Sequence, residues 1–544
     1  MKKYLNTSLS LGKNYLKDFN GKKLFKTSVR GLFNDNKSKE ENKSRDKDLY
    51  WVGDKDGKLN VRSGPLQFSK APIMDNFGEL PTGEIPEPLK YVRDFKMTTL
   101  ENGIRVCTES WDSPTSAVGV YVDAGSRYET QETCGVSHFL EHLLFKGTKN
   151  RNRQQFELEI ENSGSTLDAY TSREHTLFHM TCFNNNIGHC VDILSDMMQN
   201  PLLSEEMIEE EKDTITTELE HSNKDPQETI MEAVHFNSFR DHMMGSPILG
   251  DIDNIQNVNK RMVEEYYHTN YVGKNLIIIG TGGVNHDEFV RQVSDKFGKI
   301  NKDSPSGLER VNTEKPIYTP SCMFMRDDEM YNAAVGVFYD APSWTHEDYY
   351  TFMLLERVIG QYQCDKNGLS HLNNYNKQYS VFEIYCATML DMQRGNGIYS
   401  PYKDSGLFGT FMYGNECWSR QMTYTGLFIP ASWGQYINQV EVYRARARLY
   451  HELLNIQSPA DVLQFIGPQI QYLGRRVHRS EIAKRISYLT PDSIKKVARE
   501  WLFDAEPSIV AYGGIQGISA FSSYRYFKIN NYVTTQNLSH TLNK

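Results

Sequence analysis

Residues 117–126 read AVGVYVDAGS, and residues 334–343 repeat the phrase as AVGVFYDAPS. Seven of the ten positions are identical at an offset of 217 residues. A second motif is also repeated: GGV at residues 282–284 and GGI at residues 513–515 each come directly after an apolar, strand-like run. Repetition over so long a period indicates two similar domains in tandem.

Strand and helix signals alternate irregularly in both repeats, and several strands come in hairpin-like pairs. This pattern favours an α+β fold over a parallel α/β fold. We therefore predict two homologous tandem domains in a sandwich-like arrangement, each with a mostly antiparallel mixed sheet and helices packed on one face. The predicted boundaries are 95–300 for the first domain, 301–317 for an interdomain linker and 318–528 for the second domain.

The two ends of the chain differ from the middle in composition. Residues 1–34 carry eight Lys or Arg residues and one acidic residue. A basic, amphipathic segment is typical of a mitochondrial transit peptide, although a disordered basic tail or a nucleic-acid-binding arm has a similar composition. We predict a transit peptide and unstructured segment over 1–60, a proline-rich extended linker over 61–94 and a polar tail over 529–544.

The overall composition excludes several classes of protein. Hydrophobic residues make up 39% and charged residues 24%, which is ordinary for a globular enzyme or scaffold. A net charge of −9 argues against a nucleic-acid partner and suits a cationic one. No apolar run approaches the ~20 residues that a membrane-spanning helix needs. The eight cysteines are scattered without a C-x-x-C motif, so free thiols are expected.

The segment at residues 135–145 reads GVSHFLEHLLF and predicts a helix, since it is apolar and lacks proline. His138 and His142 are four residues apart and would share one face of that helix. Two imidazoles so placed can bind Zn²⁺, which in catalytic sites takes three protein ligands and leaves one position open. Glu141 is placed to act as a general base there. The alternative is an ordinary helix with two packed histidines, so a third ligand must be found elsewhere.

The second repeat tests this interpretation. The offset of 217 carries the three polar positions of the motif onto apolar residues, namely Leu355, Val358 and Ile359. We therefore expect the first domain to carry out chemistry and the second to complete a cavity or an interface.

Acidic residues follow the motif in two groups. Ser204 is the predicted N-cap of a helix that runs to about residue 220, and Glu211 and Glu218 share one face of it. Either acid can be the third metal ligand while the other supports it, and a plain solvated helix face is the alternative. Glu228 and Glu232, four residues apart, suit an Arg or Lys side chain of a peptide, or else form an exposed rim.

Five segments together carry a family resemblance over residues 95–528. They are DAGSRYE at 123–129, HFLEH at 138–142, FKGTKN at 145–150, AYTSRE at 169–174 and DSGLFG at 404–409. On these segments the chain resembles the pitrilysin-like zinc metallopeptidases, and among them the β-type subunits of the mitochondrial processing peptidases. The resemblance implies two similar α/β units that close over a polar cavity against a partner subunit.

The resemblance also implies roles for single residues. It makes His138, His142 and Glu218 the zinc ligands. It makes Glu141 the base and Glu211 a nearby supporting acid of the catalytic group.

The substrates that the resemblance implies are the presequences of imported precursors, usually with Arg two residues before the cut. Glu228 and Glu232 match the family's acidic pair for that Arg. Phe145 matches a residue lining the pocket for the aromatic side chain after the cut. Ala169 and Tyr170 match the edge strand that pairs with the extended substrate backbone.

The long glycine-rich loop of the family's α subunit is missing here, since residues 360–368 read GQYQCDKNG. We therefore expect this chain to be the catalytic partner of a separate, glycine-rich α subunit, in the mitochondrial matrix or on the matrix face of the inner membrane. The alternative is a core structural subunit of respiratory complex III, a role that relatives fill, often with a degraded metal motif. The intact motif favours the peptidase, and the two roles can coincide in one protein.

Overall fold

The structure, a computed structural model, describes residues 73–74, 85–364 and 379–518. The predicted transit peptide, most of the predicted 61–94 linker, residues 365–368 of the loop at 360–368 and the predicted tail lie outside these residues. Within the described part of the chain, none of the helices combines the length and the apolar character that crossing a membrane requires.

The first domain is built on a six-stranded sheet. Its strands are β1 (Asp94–Thr99), β2 (Arg105–Ser110), β3 (Thr115–Val122), β4 (Thr166–Thr171), β5 (Thr176–Phe183) and β6 (Leu276–Gly282). Across the sheet they follow the order β1-β2-β6-β3-β5-β4. Every neighbouring pair is antiparallel except β2 and β6, which are parallel.

The second domain is built on a similar sheet. Its strands are β7 (Cys322–Arg326), β8 (Asn332–Asp340), β9 (Gln361–Gln363), β10 (Met392–Pro401), β11 (Gly406–Asn415) and β12 (Ser508–Gly513). Across the sheet they follow the order β7-β12-β8-β11-β10-β9. Again one pair, β7 and β12, is parallel and the others are antiparallel.

Five strands of each sheet correspond in order when the sheets are aligned on their parallel pairs, with β3 equivalent to β8 and β6 to β12. Strand β1 at one edge of the first sheet and β9 at the opposite edge of the second have no counterpart. The ends of β6 and β12 agree in detail. Gly282 has a φ of +98° and Gly513 a φ of +92°. A Cβ added to either glycine would lie 2.4 Å from a carbonyl oxygen, that of Thr115 or of Asn332, and these two residues are themselves 217 apart. The predicted pair of homologous α+β domains is confirmed.

The described helices connect these strands. They are α1 (Glu87–Lys90), α2 (Val136–Leu144), α3 (Arg153–Asn162), α4 (Ile187–Gln199), α5 (Glu205–Ser222), α6 (Pro226–Ser238), α7 (Ile252–Asn257), α8 (Lys260–Asn270), α9 (His286–Phe297), α10 (Tyr349–Ile359), α11 (Val381–Thr388), α12 (Ser419–Ser432), α13 (Gln439–Asn455), α14 (Pro459–Leu473), α15 (Arg479–Ser487) and α16 (Pro491–Ala498). Helices α2, α4 and α9 pack on one face of the first sheet. Helices α10, α11 and α12 pack on the corresponding face of the second.

The other face of each sheet is covered by a helix from the other domain. Helix α14 places Val462, Leu463 and Ile466 against β3 and β6. Helix α6 places Ile230 and Val234 against β8 and β12. The domains therefore exchange helices reciprocally, and the central strands of each sheet are buried on both faces.

Two equivalent glycines allow these helices to approach closely. A Cβ added to Gly119 in β3 would lie 2.8 Å from a methyl carbon of Leu463. A Cβ added to Gly336 in β8 would lie 2.6 Å from a methyl carbon of Ile230. The two glycines are 217 residues apart, so the repeat in the sequence includes the positions at which the exchanged helices dock.

The prediction that residues 61–94 form an extended linker is wrong for a short part of that segment. Helix α1 follows Pro86 and has Pro88 in its first turn. The fixed φ of proline suits the first turn of a helix, and prolines there do not interrupt it. Leu89 is buried and anchors the turn.

Candidate metal centre

Helix α2 begins at a buried carboxylate. Its N-cap, Gly135, has a φ of +92°, and an added Cβ would lie 2.7 Å from the Leu249 carbonyl oxygen, so glycine is required there. The carboxylate of Glu129 accepts hydrogen bonds from the backbone N–H groups of Gly135 at 2.8 Å and Ser137 at 2.6 Å. Burial raises the pKa of Glu129 to about 7, although these hydrogen bonds lower it. The contacts satisfy N–H groups that a helix start leaves unpaired, and they fix the position of α2.

Three side chains of metal-ligand type meet where α2 faces α5. The ring centroids of His138 and His142 lie 4.7 Å apart. The two carboxylate oxygens of Glu218 lie 3.6 Å from His138 Nε2 and 3.2 Å from His142 Nε2. One ligand atom from each residue lies within 4.8 Å of the others. Among the residues that the structure describes, no other group of three or more His, Cys, Asp or Glu side chains is arranged in this way.

These residues fit a catalytic metal ion such as zinc. Two imidazole nitrogens and one carboxylate oxygen form a ligand set that catalytic zinc uses. The neighbouring imidazoles of His138 and His142 hold the pKa of Glu218 well below its ordinary value, so its carboxylate is in the ionised form that binds metals. His138 is buried and the Glu218 side chain is 45% exposed, so the centre opens to solvent on its α5 side.

Glu211 lies on the opposite side of the His142 ring. Its Oε2 is 3.1 Å from His142 Nδ1, and its Oε1 is paired with Lys146 Nζ. Burial lowers the pKa of His142, but the carboxylates of Glu218 and Glu211 outweigh burial and raise that pKa above its ordinary value. The structure therefore separates the two acids that the sequence left as alternatives. Glu218 faces both Nε2 atoms, whereas Glu211 contacts Nδ1 of His142.

Glu141 lies on α2 and is held by the neighbouring sheet. Its Oε2 accepts a hydrogen bond of 2.5 Å from the hydroxyl of Thr171, the last residue of β4. Sequence reasoning missed Thr171 and Lys146, although both occur in segments that carry the family resemblance. Nothing in their local sequence indicates contacts with residues 30 and 65 positions away.

Strand β4, which contains Ala169 and Tyr170, is one of the two edge strands of the first sheet and pairs with β5. An edge strand presents backbone N–H and C=O groups that can accept another strand. Phe145 caps the C-terminus of α2 and is half-buried, with its ring centroid 6.4 Å from that of Phe178. Helix α2, which carries His138 and His142, therefore lies next to the edge strand β4.

The two predicted substrate-binding acids on α6 have different partners. Glu232 accepts a hydrogen bond of 2.6 Å from Arg173, which is itself 6% exposed. Glu228 is exposed and accepts a hydrogen bond of 2.7 Å from the hydroxyl of Ser222. Sequence reasoning treated both as equivalent carboxylates. In the described part of the chain, only Glu228 of the two lacks a basic partner.

Two models of known protein families match this chain. Residues 105–252 match the model of insulinase-type peptidases, peptidase family M16, and residues 257–415 match the model of the M16 inactive domain. The chain is also similar in fold to a chain of complex III2 from Candida albicans, with a TM-score of 0.69 at 19% identity over 80% of this chain and 99% of that one.

Curated relatives agree with the family models. The mitochondrial-processing peptidase subunit beta of Dictyostelium discoideum is 33% identical over 81% of this chain and 93% of its own length. The probable mitochondrial-processing peptidase subunit beta of Arabidopsis thaliana is 31% identical over 79% of this chain and 80% of its own length. The bovine subunit beta is 31% identical over 79% and 86%. The resemblance found in the five sequence segments is confirmed: the chain belongs to peptidase family M16, among the relatives of the mitochondrial-processing peptidase β subunits, and it is a metallopeptidase.

Proposed function

We propose that this chain is the catalytic, zinc-binding β-type subunit of a heterodimeric processing peptidase and that it removes N-terminal presequences from imported precursors. The partner would be an α-type subunit with a glycine-rich loop, and the compartment the mitochondrial matrix or the matrix face of the inner membrane. The observation that carries the proposal is the convergence of His138, His142 and Glu218 beside Glu141. The names of the relatives support the partner and the organelle.

The chemistry divides between the metal and the chain. When held by His138, His142 and Glu218, zinc supplies Lewis-acid polarisation of water and of the scissile carbonyl. Glu141 is the base: Thr171 occupies its Oε2, which leaves Oε1 to take a proton from the attacking water and return it to the leaving amine.

Substrate recognition follows from the surroundings of this centre. An extended presequence adds to the free edge of β4 through backbone hydrogen bonds. Phe145 contributes to the pocket for the aromatic side chain after the cut. Glu228 carries most of the recognition of the substrate Arg, because Glu232 shares its charge with Arg173.

The test uses the purified heterodimer and a presequence peptide. We expect Glu141→Gln to keep zinc and to lose cleavage by about 10²–10⁴-fold, which is the usual contribution of general acid–base catalysis. Glu218→Gln should lose both zinc and cleavage. Glu220→Gln, which changes an exposed acid two residues further along α5, should lose neither. Absence of cleavage by the unaltered heterodimer, or full activity of Glu141→Gln, would contradict the proposal.

The structural role in respiratory complex III is tested on the same material. If the chain is also a core subunit, it should co-migrate with complex III on a native gel of mitochondrial membranes. If it is a matrix enzyme alone, it should migrate with its α-type partner.

A further inference from the structure

Lys146 lies just beyond α2, at the start of a loop whose shape is tightly specified. Its backbone N–H donates to the Leu143 carbonyl oxygen at 3.1 Å. The next residue, Gly147, has a φ of +117°, and an added Cβ would lie 2.8 Å from the Arg151 carbonyl oxygen. Glycine is therefore required at position 147, and the Lys146 side chain extends from this loop to Glu211 on α5.

The ammonium group of Lys146 pairs with Oε1 of Glu211, while Oε2 of the same carboxylate contacts Nδ1 of His142. Glu211 is 2% exposed, and the Lys146 side chain is 17% exposed. A carboxylate so deeply buried is costly unless a nearby cation compensates it. Lys146 is the side chain that supplies this compensation.

The Glu211 carboxylate orients the His142 ring through its contact with Nδ1. The Glu211 carboxylate accepts hydrogen bonds, so His142 donates its Nδ1 proton to it at 3.1 Å. The lone pair of the neutral ring is then on Nε2, which faces Glu218 at 3.2 Å.

The partner histidine lacks such support. Nδ1 of His138 is buried and has no hydrogen-bond partner within the part of the chain that the structure describes. Of the two histidines, His142 is therefore the one whose Nδ1 is held by a charged group of the protein.

We propose that Lys146 is a positioning residue of the metal centre. It holds the Glu211 carboxylate in place, and Glu211 in turn orients the His142 ring for metal binding. The inference deepens the proposed function, because it concerns the same centre, but it is tested by zinc binding alone. Groups that orient a metal ligand without touching the metal typically contribute 10–100-fold to metal affinity.

The experiment measures the zinc affinity of the purified heterodimer by competition with a chromophoric chelator. We expect Lys146→Met to weaken zinc binding about 10–100-fold. Lys146→Arg, which keeps the positive charge, should have a zinc affinity within a few-fold of that of the unaltered protein. The matched control is Lys149→Met, since Lys149 is exposed and has no side-chain ion pair among the described residues; it should leave the affinity unchanged.

A second set of variants separates positioning from folding. In a Glu211→Gln background no buried charge needs compensation, so adding Lys146→Met should weaken zinc binding by less than about threefold. The melting temperature of each metal-free variant reports whether it folds. If Lys146→Met alone does not fold, a loss of more than about threefold in the double variant relative to Glu211→Gln still overturns the proposal.

Wild-type affinity in Lys146→Met, or an equal loss with and without Glu211→Gln, would overturn the proposal. A loss of zinc affinity in Lys146→Arg as large as that in Lys146→Met would also overturn it. Absence of peptide cleavage together with the expected pattern of zinc affinities would refute the proposed peptidase function and leave this inference standing.

Discussion

The guanidinium of Arg127 joins the two domains and the linker between them. Arg127 is fully buried and donates to Glu174 at 2.6 Å, to both carboxylate oxygens of Asp404 at 2.9 and 2.6 Å, and to the carbonyl oxygens of Asn312 and Glu314. Glu174 belongs to the first domain and Asp404 to the second. Three of the five segments that carry the family resemblance therefore meet at one side chain.

Replacement of Arg127 by Met should be strongly destabilising. It removes five hydrogen bonds and leaves Glu174, 2% exposed, as a buried carboxylate without its cation. Breaking a buried ion pair by removal of one partner costs about 3–5 kcal/mol. Tyr472 and the backbone N–H of Lys403 still donate to Glu174, so we expect about 3 kcal/mol, the lower end of that range.

The assay is urea unfolding followed by tryptophan fluorescence, with the shift in midpoint converted to free energy through the m-value. The control is Arg153→Met, because Arg153 forms an exposed helical pair with Glu157 and should cost no more than about 0.5 kcal/mol. In a Glu174→Gln background, Arg127→Met should cost about 1–2 kcal/mol less, since no buried charge is then left unpaired. A loss below about 1 kcal/mol for Arg127→Met, or an equal loss in both backgrounds, would refute this reasoning.

Three further predictions follow from single contacts. Thr171→Val should lower kcat about tenfold or more, because a hydrogen bond to a charged group is worth about 1.5–3 kcal/mol, whereas Thr171→Ser should retain activity; equal rates for both would exclude a role for the hydroxyl in holding Glu141. Leu463→Ala should lower the free energy of unfolding by about 2–5 kcal/mol in urea titrations, because Leu463 is fully buried against Gly119, and a loss below about 1 kcal/mol would mean that the exchanged helix is loosely packed. Burial lowers the pKa of His175 to about 3. Below pH ~6.5 the His175 side chain is therefore protonated in the unfolded chain but stays neutral in the folded chain, so the free energy of unfolding falls as the pH falls. Between pH 7 and 5 the unaltered protein should lose about 2 kcal/mol more than His175→Phe, and parallel pH profiles of the unfolding free energy would contradict this.

Much of the fold was predictable from local sequence pattern. The repeat at an offset of 217 identified two similar domains, because equivalent buried strands need the same alternation of apolar residues and the same glycines. The spacing of His138 and His142 depends on one helical turn and can be read directly. Glu211 and Glu218 could be placed on one helix face for the same reason, but periodicity alone did not say which of them faces the imidazoles.

The contacts that complete the site are long-range, and tertiary structure alone decided them. Lys146 meets Glu211, Thr171 meets Glu141, and Arg173 shares the charge of Glu232 across gaps of 30 to 65 residues. A charged or hydroxyl side chain carries no local mark of its partner, so no sequence spacing indicates these pairs.

The reciprocal exchange of helices between the domains was likewise invisible in the sequence. The amphipathic patterns of α6 and α14 predict that each helix buries one face, but its apolar face could pack equally well on either sheet of the chain. Gly119 and Gly336 leave space for a helix on each sheet, and the tertiary structure alone shows that α14 docks on the first sheet and α6 on the second. Local sequence thus determined the elements and the metal motif, whereas the choice among equivalent apolar surfaces depended on the geometry of the whole chain.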